Sequence, residues 1–130
     1  RSRLRMVTLY QFAGQYRGIV VGTGNKVEDY GVGFYTKYGD GGVDIAPIAD
    51  LYKSEVWDLG KSLGVDSRII EAKPTDGLWD DGRTDEDQLG ATYSELEEAM
   101  ETGKGTGLKV LEEYARMNAH KMNPIPTFTL

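Results

Sequence analysis

Apolar residues recur at Leu4, Val7, Leu9, Tyr10 and Phe12, the three-to-four spacing of a helix, with no capping residue ahead of them. The pattern then changes. Gly18-Ile19-Val20-Val21 is a continuous apolar run, read as a short buried strand, and Val43 to Ile48 is a second strand candidate. A helix is predicted from Asp50, as its N-terminal cap, through about Leu63. Its buried stripe is Val56, Leu59 and Leu63, and Gly64 falls where a C-terminal cap belongs. Thr92-Tyr93-Ser94-Glu95 is a capping box that opens a helix to about Met100. Leu108 to Asn123 forms a last helix, stopped by Pro124 and Pro126. Between these two, Glu101 to Gly107 reads as a flexible linker, because its glycines follow no strand and so lack the setting of a phosphate loop.

A strand running into Gly22-Thr23-Gly24 and then a helix start is where open α/β sheets place ligands. The expected class is therefore α/β, a parallel sheet flanked by helices. Two strand candidates are too few for such a sheet, which needs more strands and cover on both faces. The chain is expected to be part of a larger unit, since it also opens on an uncapped helix and without a starting methionine. That helix carries more apolar surface than one strand can cover, so a second copy of the chain is expected against it.

Composition narrows the partners. A share of 39% hydrophobic residues with 28% charged suits a packed domain and argues against disorder. A formal net charge of -6 argues against a nucleic-acid partner, for which a basic face is needed. No run of about twenty apolar residues exists to span a membrane. The absence of cysteine removes disulfides, thiol nucleophiles and thiolate metal sites, which fits a cytoplasmic protein.

The densest candidate chemistry is Thr36-Lys37-Tyr38-Gly39-Asp40-Gly41-Gly42-Val43-Asp44, a cation, two carboxylates and three glycines in nine residues. Glycines let backbone N–H groups approach an anion closely, Lys37 adds a point charge, and Asp40 and Asp44 can hold a metal or hydroxyls. Such a loop suits a nucleotide phosphate, although the same composition also makes ordinary turns. Around it stand Gly22-Thr23-Gly24-Asn25-Lys26-Val27-Glu28-Asp29-Tyr30, then Asp50-Leu51-Tyr52-Lys53, Lys73-Pro74-Thr75-Asp76-Gly77-Leu78-Trp79 and Thr84-Asp85-Glu86-Asp87-Gln88-Leu89-Gly90. In this order and spacing, from Arg3 to about Pro126, the chain resembles the C-terminal portion of an ammonia-dependent NAD synthetase of the ATP-pyrophosphatase superfamily. The Ser-Gly-Gly-x-Asp-Ser loop that holds ATP phosphates in that family has no counterpart in residues 1–130.

The resemblance implies a Rossmann-like sheet of the adenine nucleotide alpha hydrolase type, and residues 1–130 as one part of a single synthetase domain. It implies ATP-dependent amidation of deamido-NAD by ammonia, with Mg²⁺, in a cytoplasmic homodimer. Thr23, Lys53 and Thr75 then match ATP contacts, Glu28 a Mg²⁺ ligand, and Arg3, Lys37, Asp44, His120 and Lys121 deamido-NAD contacts. Lys53 is expected to neutralise departing pyrophosphate, and Asp40 to take the proton that ammonium must lose. Asp29 stands beside Glu28 as its rival for the metal. Two departures from the family pattern stand out: Gln88 replaces an acid, and the segment Gly31 to Gly33 is one residue longer than in some relatives. The alternative is a non-catalytic dinucleotide-binding and dimerisation module. On either reading residues 1–130 alone are expected to be inactive as a ligase.

Overall fold

The computed structural model describes residues 1–128. Helix α1 (Ser2–Tyr16) begins at Arg1 without a side-chain cap, as its sequence predicts. A π-helical turn, Val27–Val32, follows the glycine-rich segment, and then come α2 (Lys53–Ser62), α3 (Ser67–Ile70), α4 (Asp85–Leu89), α5 (Tyr93–Thr102) and α6 (Leu108–Met122).

The expected strands are reduced, among the described residues, to one parallel bridge between Val21 and Ile45. Its bonds run from Gly22 N–H to the Ile45 carbonyl (2.7 Å) and from Ile45 N–H to the Val20 carbonyl (3.4 Å). Two local features stop the ladder. The next rung would need an N–H at residue 47, which is Pro47. In the other direction the Val20 N–H donates to Asp44 Oδ2 at 2.8 Å instead of to a neighbouring strand. Among the described residues the expected parallel sheet is thus reduced to this bridge.

The core lies between the π turn, α5 and α6, where Val27, Val32, Leu89, Tyr93 and Leu96 are buried and Met100, Leu111 and Tyr114 pack on them. The predicted capping box forms: Glu95 N–H donates to Thr92 Oγ1 (3.2 Å) and Thr92 N–H to Glu95 Oε2 (2.9 Å). Helix α6 ends at Asn123 before Pro124, also as predicted. Helix α2 starts later than expected, because Asp50 pairs with Lys26 (3.2 Å) and does not cap it. The free N–H of Tyr52 instead donates to Glu55 Oε2 at 2.7 Å, and Lys53 becomes the first helical residue. The expected stripe on α2 is not buried either, since Leu59 is 40% and Leu63 73% exposed.

A π turn holds one residue more than an α turn, the form in which the extra residue expected at Gly31 to Gly33 would be taken up. Gly33 closes it at φ 63°, and a Cβ there would stand 2.6 Å from Asn118 Cβ on α6. Gly103, which closes α5 at φ 66°, has nothing within 4 Å. Alanine at either position meets left-handed strain of about 1 kcal/mol, but only at Gly33 does it also push α6 away. Gly33→Ala is therefore expected to destabilise the chain clearly more than Gly103→Ala in denaturant unfolding. Equal losses would show that α6 does not pack closely on the π turn.

Candidate functional site

A cavity of about 620 Å³ opens where the first half of α1, the glycine-rich segments, the first residue of α2 and the chain before α4 meet. Its walls include Thr23, Glu28, Asp40, Lys53, Thr75 and Lys121, six of the residues singled out in the sequence. Arg3 lies on a neighbouring cavity of about 520 Å³ that shares Ser2, Thr36 and Leu78 with the first. Lys37, Asp44 and His120 line neither cavity.

The π turn aims Glu28 inward. Buried Asn25 accepts from the N–H groups of Val27 (3.0 Å) and Glu28 (3.2 Å) through Oδ1, fixing the start of the turn. Glu28 Oε1 then receives the Tyr93 hydroxyl at 2.6 Å and the Lys53 ammonium at 3.4 Å. The Lys53 ammonium also sits 5.0 Å from the centroid of the Tyr93 ring, whose electron-rich face attracts a cation. A lysine in the first turn of a helix opposes the macrodipole. Here Glu28 and the Tyr93 ring supply the negative potential that offsets it.

Asp85, the first residue of α4, completes this corner. Its Oδ2 stands 3.4 Å from the same Tyr93 hydroxyl, and its Oδ1 is buried with no hydrogen-bond partner. Burial, and next the charge of Glu28, raises the Asp85 pKa, while Lys53 opposes the shift. Burial among the same carboxylates pushes the Tyr93 phenol well above its ordinary range, so it donates its proton and does not lose it. Among the described residues no three Asp, Glu, His or Cys side chains form a ready metal cage. Two carboxylates do converge on one hydroxyl.

The remaining candidates hold the loop. Asp40 Oδ1 accepts from the Ser2 hydroxyl (2.6 Å) and from Thr36 N–H (3.0 Å), the bonds of a turn-former. Asp44 accepts from Val20 N–H and, at 3.1 Å, from the Tyr10 hydroxyl. The Lys37 ammonium donates to the His120 carbonyl, and Lys121 donates to the carbonyls of Gly33 (2.9 Å) and Tyr35 (2.8 Å). Both lysines thereby fasten the end of α6 to the loop, and burial lowers the Lys121 pKa. Thr75 Oγ1 accepts from Gly77 N–H at 3.3 Å. Gln88 donates to Asp76 Oδ2 at 3.3 Å across the short loop before α4.

Sequence reasoning did not single out Tyr93 or Asp85. Tyr93, Leu96 and Met100 fall at helical spacing, which marks Tyr93 as inward-facing, but nothing local marks Asp85 as buried. Asp29 also matters in a way its position did not announce. Burial first, then the Glu28 and Asp40 carboxylates, push its carboxyl up to about 6. A carboxyl whose pKa is higher folded than unfolded favours the fold below its unfolded value, near 4, and that advantage is lost as pH rises through about 6. Asp29→Asn, in chelator, is therefore expected to raise the thermal midpoint at about pH 7 and to change it little at about pH 4. Equal shifts at the two pH values would show that Asp29 is not held among repelling carboxylates.

The profile of the NAD synthase family matches residues 1–126. The NH(3)-dependent NAD(+) synthetase of Alkaliphilus oremlandii is 47% identical over 130 residues, spanning 98% of this chain and 51% of that protein. That of Thermoplasma volcanium is 51% identical over 100 residues, spanning 77% of this chain and 40% of that protein. Among solved structures, an NMN synthetase from Francisella tularensis superposes with a TM-score of 0.87 at 42% identity, covering 99% of this chain and 54% of that one. An NH3-dependent NAD synthetase from Campylobacter jejuni gives 0.70 at 29% identity, covering 98% and 53%. The chain spans about half the length of these relatives. On a family profile that runs over nearly every residue, the chain belongs to the NAD synthase family.

Proposed function

We propose that this chain supplies one part of a ligase domain that amidates the nicotinate carboxylate of deamido-NAD, using ATP and ammonia. Adenylation joins the carboxylate to AMP and releases pyrophosphate; ammonia then displaces AMP and loses a proton to form the amide. Both substrates are polyanions whose charges repel as they meet, so the site needs cations at the phosphates. The observation that carries the reading is the Glu28–Lys53–Tyr93 corner, where a carboxylate and an ammonium are presented together on a cavity wall. Thr75 and Thr23 share that wall and suit the nucleotide, while Lys53 suits the departing pyrophosphate.

The orphaned Asp85 oxygen beside Glu28 fits the residues to a divalent cation. Glu28 would hold Mg²⁺, which supplies charge neutralisation at the phosphates when bound and needs few protein carboxylates. Asp40, on the cavity wall, is proposed to accept the ammonium proton, and Arg3, Lys37, Asp44, His120 and Lys121 to receive deamido-NAD. Exposed Leu4, Val7, Phe12 and Tyr16 on α1 support a homodimer through that helix. No helix among the described residues is long and apolar enough to cross a membrane, which is compatible with a cytoplasmic enzyme.

A second reading has its own support. The likeness to an NMN synthetase at 42% identity, with an amide in place of an acid at Gln88, favours a mononucleotide substrate over a dinucleotide. Assay of the protein as encoded in its gene with nicotinate mononucleotide and with deamido-NAD separates the two through kcat/KM. Activity on neither sinks the ligase reading and leaves the binding module.

On the ligase reading, Glu28→Gln and Lys53→Ala are each expected to slow formation of the adenylated intermediate about a hundredfold or more, the scale for one preorganised electrostatic group. Because the two side chains touch, the double variant should lose less than the product of the single losses. Arg3→Ala should weaken the nicotinate substrate more than it slows the chemical step. Single-turnover kinetics reads all three, and a wild-type rate for Glu28→Gln would overturn its assignment.

A further inference from the structure

We propose that Asp85 is a second carboxylate of the cation site, so that Glu28, Asp85 and the Tyr93 hydroxyl form one cradle for an oxygen-seeking divalent cation. Asp85 is only 6% exposed, yet among the described residues its Oδ1 is the one buried side-chain nitrogen or oxygen with no hydrogen-bond partner. Its other oxygen does little better. The Tyr93 hydroxyl has a single proton, committed to Glu28 at 2.6 Å, which leaves Asp85 Oδ2 a remote acceptor at 3.4 Å. The nearest cation, Lys53, makes its hydrogen bond with Glu28 and none with Asp85.

A buried carboxylate with one oxygen unpartnered, the other held only at 3.4 Å and no ion pair weakens a fold, and a structural role would be better served by an amide or hydroxyl. Asp85 does begin α4, where an acid suits the dipole, but Glu86 and Asp87 in the same turn provide that without an orphaned oxygen. What the position gains is a place on the cavity wall beside Glu28. Two carboxylates presented to a cavity, with the remaining positions open to water or phosphate, match the way Mg²⁺ is bound better than a closed protein cage would. Tyr93 is then a positioning residue. Buried to 1% exposure and packed edge-on to Trp57 at 6.4 Å, it fixes both acids to the core.

The identity of the cation as Mg²⁺ rests on the ligase reading, whereas cation binding itself is measured without any substrate. The probe is Tb³⁺, a hard oxygen-seeking ion whose luminescence is sensitised by nearby Tyr93 and Trp57, titrated into the full 130-residue chain with Mg²⁺ as competitor. One Tb³⁺ per chain is expected, displaced by Mg²⁺. Asp85→Asn and Glu28→Gln should each weaken it at least tenfold, while Asp50→Asn, on an exposed carboxylate paired with Lys26, leaves it unchanged. In chelator, Asp85→Asn should unfold at or above the wild-type temperature, since it relieves an unpartnered charge. Wild-type Tb³⁺ affinity in Asp85→Asn, a lower midpoint for that variant in chelator, or no Tb³⁺ bound by the folded chain would each overturn the proposal. This binding pattern together with no amide formed by the protein as encoded in its gene would instead overturn the ligase reading alone.

Discussion

The hydrogen bond from the Tyr93 hydroxyl to Glu28 joins the hydrophobic core to the cavity, and the arrangement of the candidate site follows from it. Tyr93 packs in the cluster with Val27, Val32, Leu89 and Leu96, so its ring cannot move without disturbing the π turn, α5 and α4 together. Its polar end therefore has a fixed address. From that address it orients Glu28 through the hydroxyl and receives Lys53 on the ring face. A phenol suits this task because its body is satisfied by apolar neighbours while its tip needs a partner. The phenol's raised pKa, caused first by burial, keeps it a donor throughout the range in which the carboxylates stay charged.

Local rules made the helices legible. The capping box at Thr92 and Glu95, the prolines after α6 and the apolar spacing in α1 are each decided within a few residues, and each formed as read. Strand formation is decided by partners far along the chain. Val20 and Val21 are apolar enough for a buried strand, but pairing depends on what residue 47 and the Asp44 side chain do, and Val21 ends 52% exposed. The start of α2 failed for a similar reason. Asp50 is a good cap by propensity, and a lysine 24 positions earlier in sequence takes it instead.

Site residues divide in the same way. Glu28, Lys53, Thr23 and Thr75 were legible as family positions, and the fold brings them to one wall. Lys37 and Lys121 are cations in the sequence, but their ammonium groups here serve backbone carbonyls at the junction of α6 and the loop. Contacts of this kind hold a lysine near a ligand position without showing it to be free for one. Asp85 and Asp29 were hidden because burial of an acid is a tertiary fact, visible only once α4 and the π turn are packed.

Both hidden acids point to one physical tension. Burial raises the pKa of Asp29 and of Asp85, and in each case the Glu28 carboxylate adds to the effect, so Glu28 has an acid on either side, Asp85 with it on the cavity wall and Asp29 behind, and Lys53 pairs with Glu28 alone. A core selected for stability alone would replace such a group with neutral side chains of the same size, because unpaired buried charge is among the costliest features a fold can keep. Its persistence in a corner already rigidified by Tyr93 is intelligible if the missing positive charge arrives with the ligand. The repulsion within the empty cavity would then be relieved by cation and phosphate together. Such a site would hold a divalent cation more firmly with a nucleotide than without one, because two protein carboxylates supply only part of the oxygen shell that the cation requires.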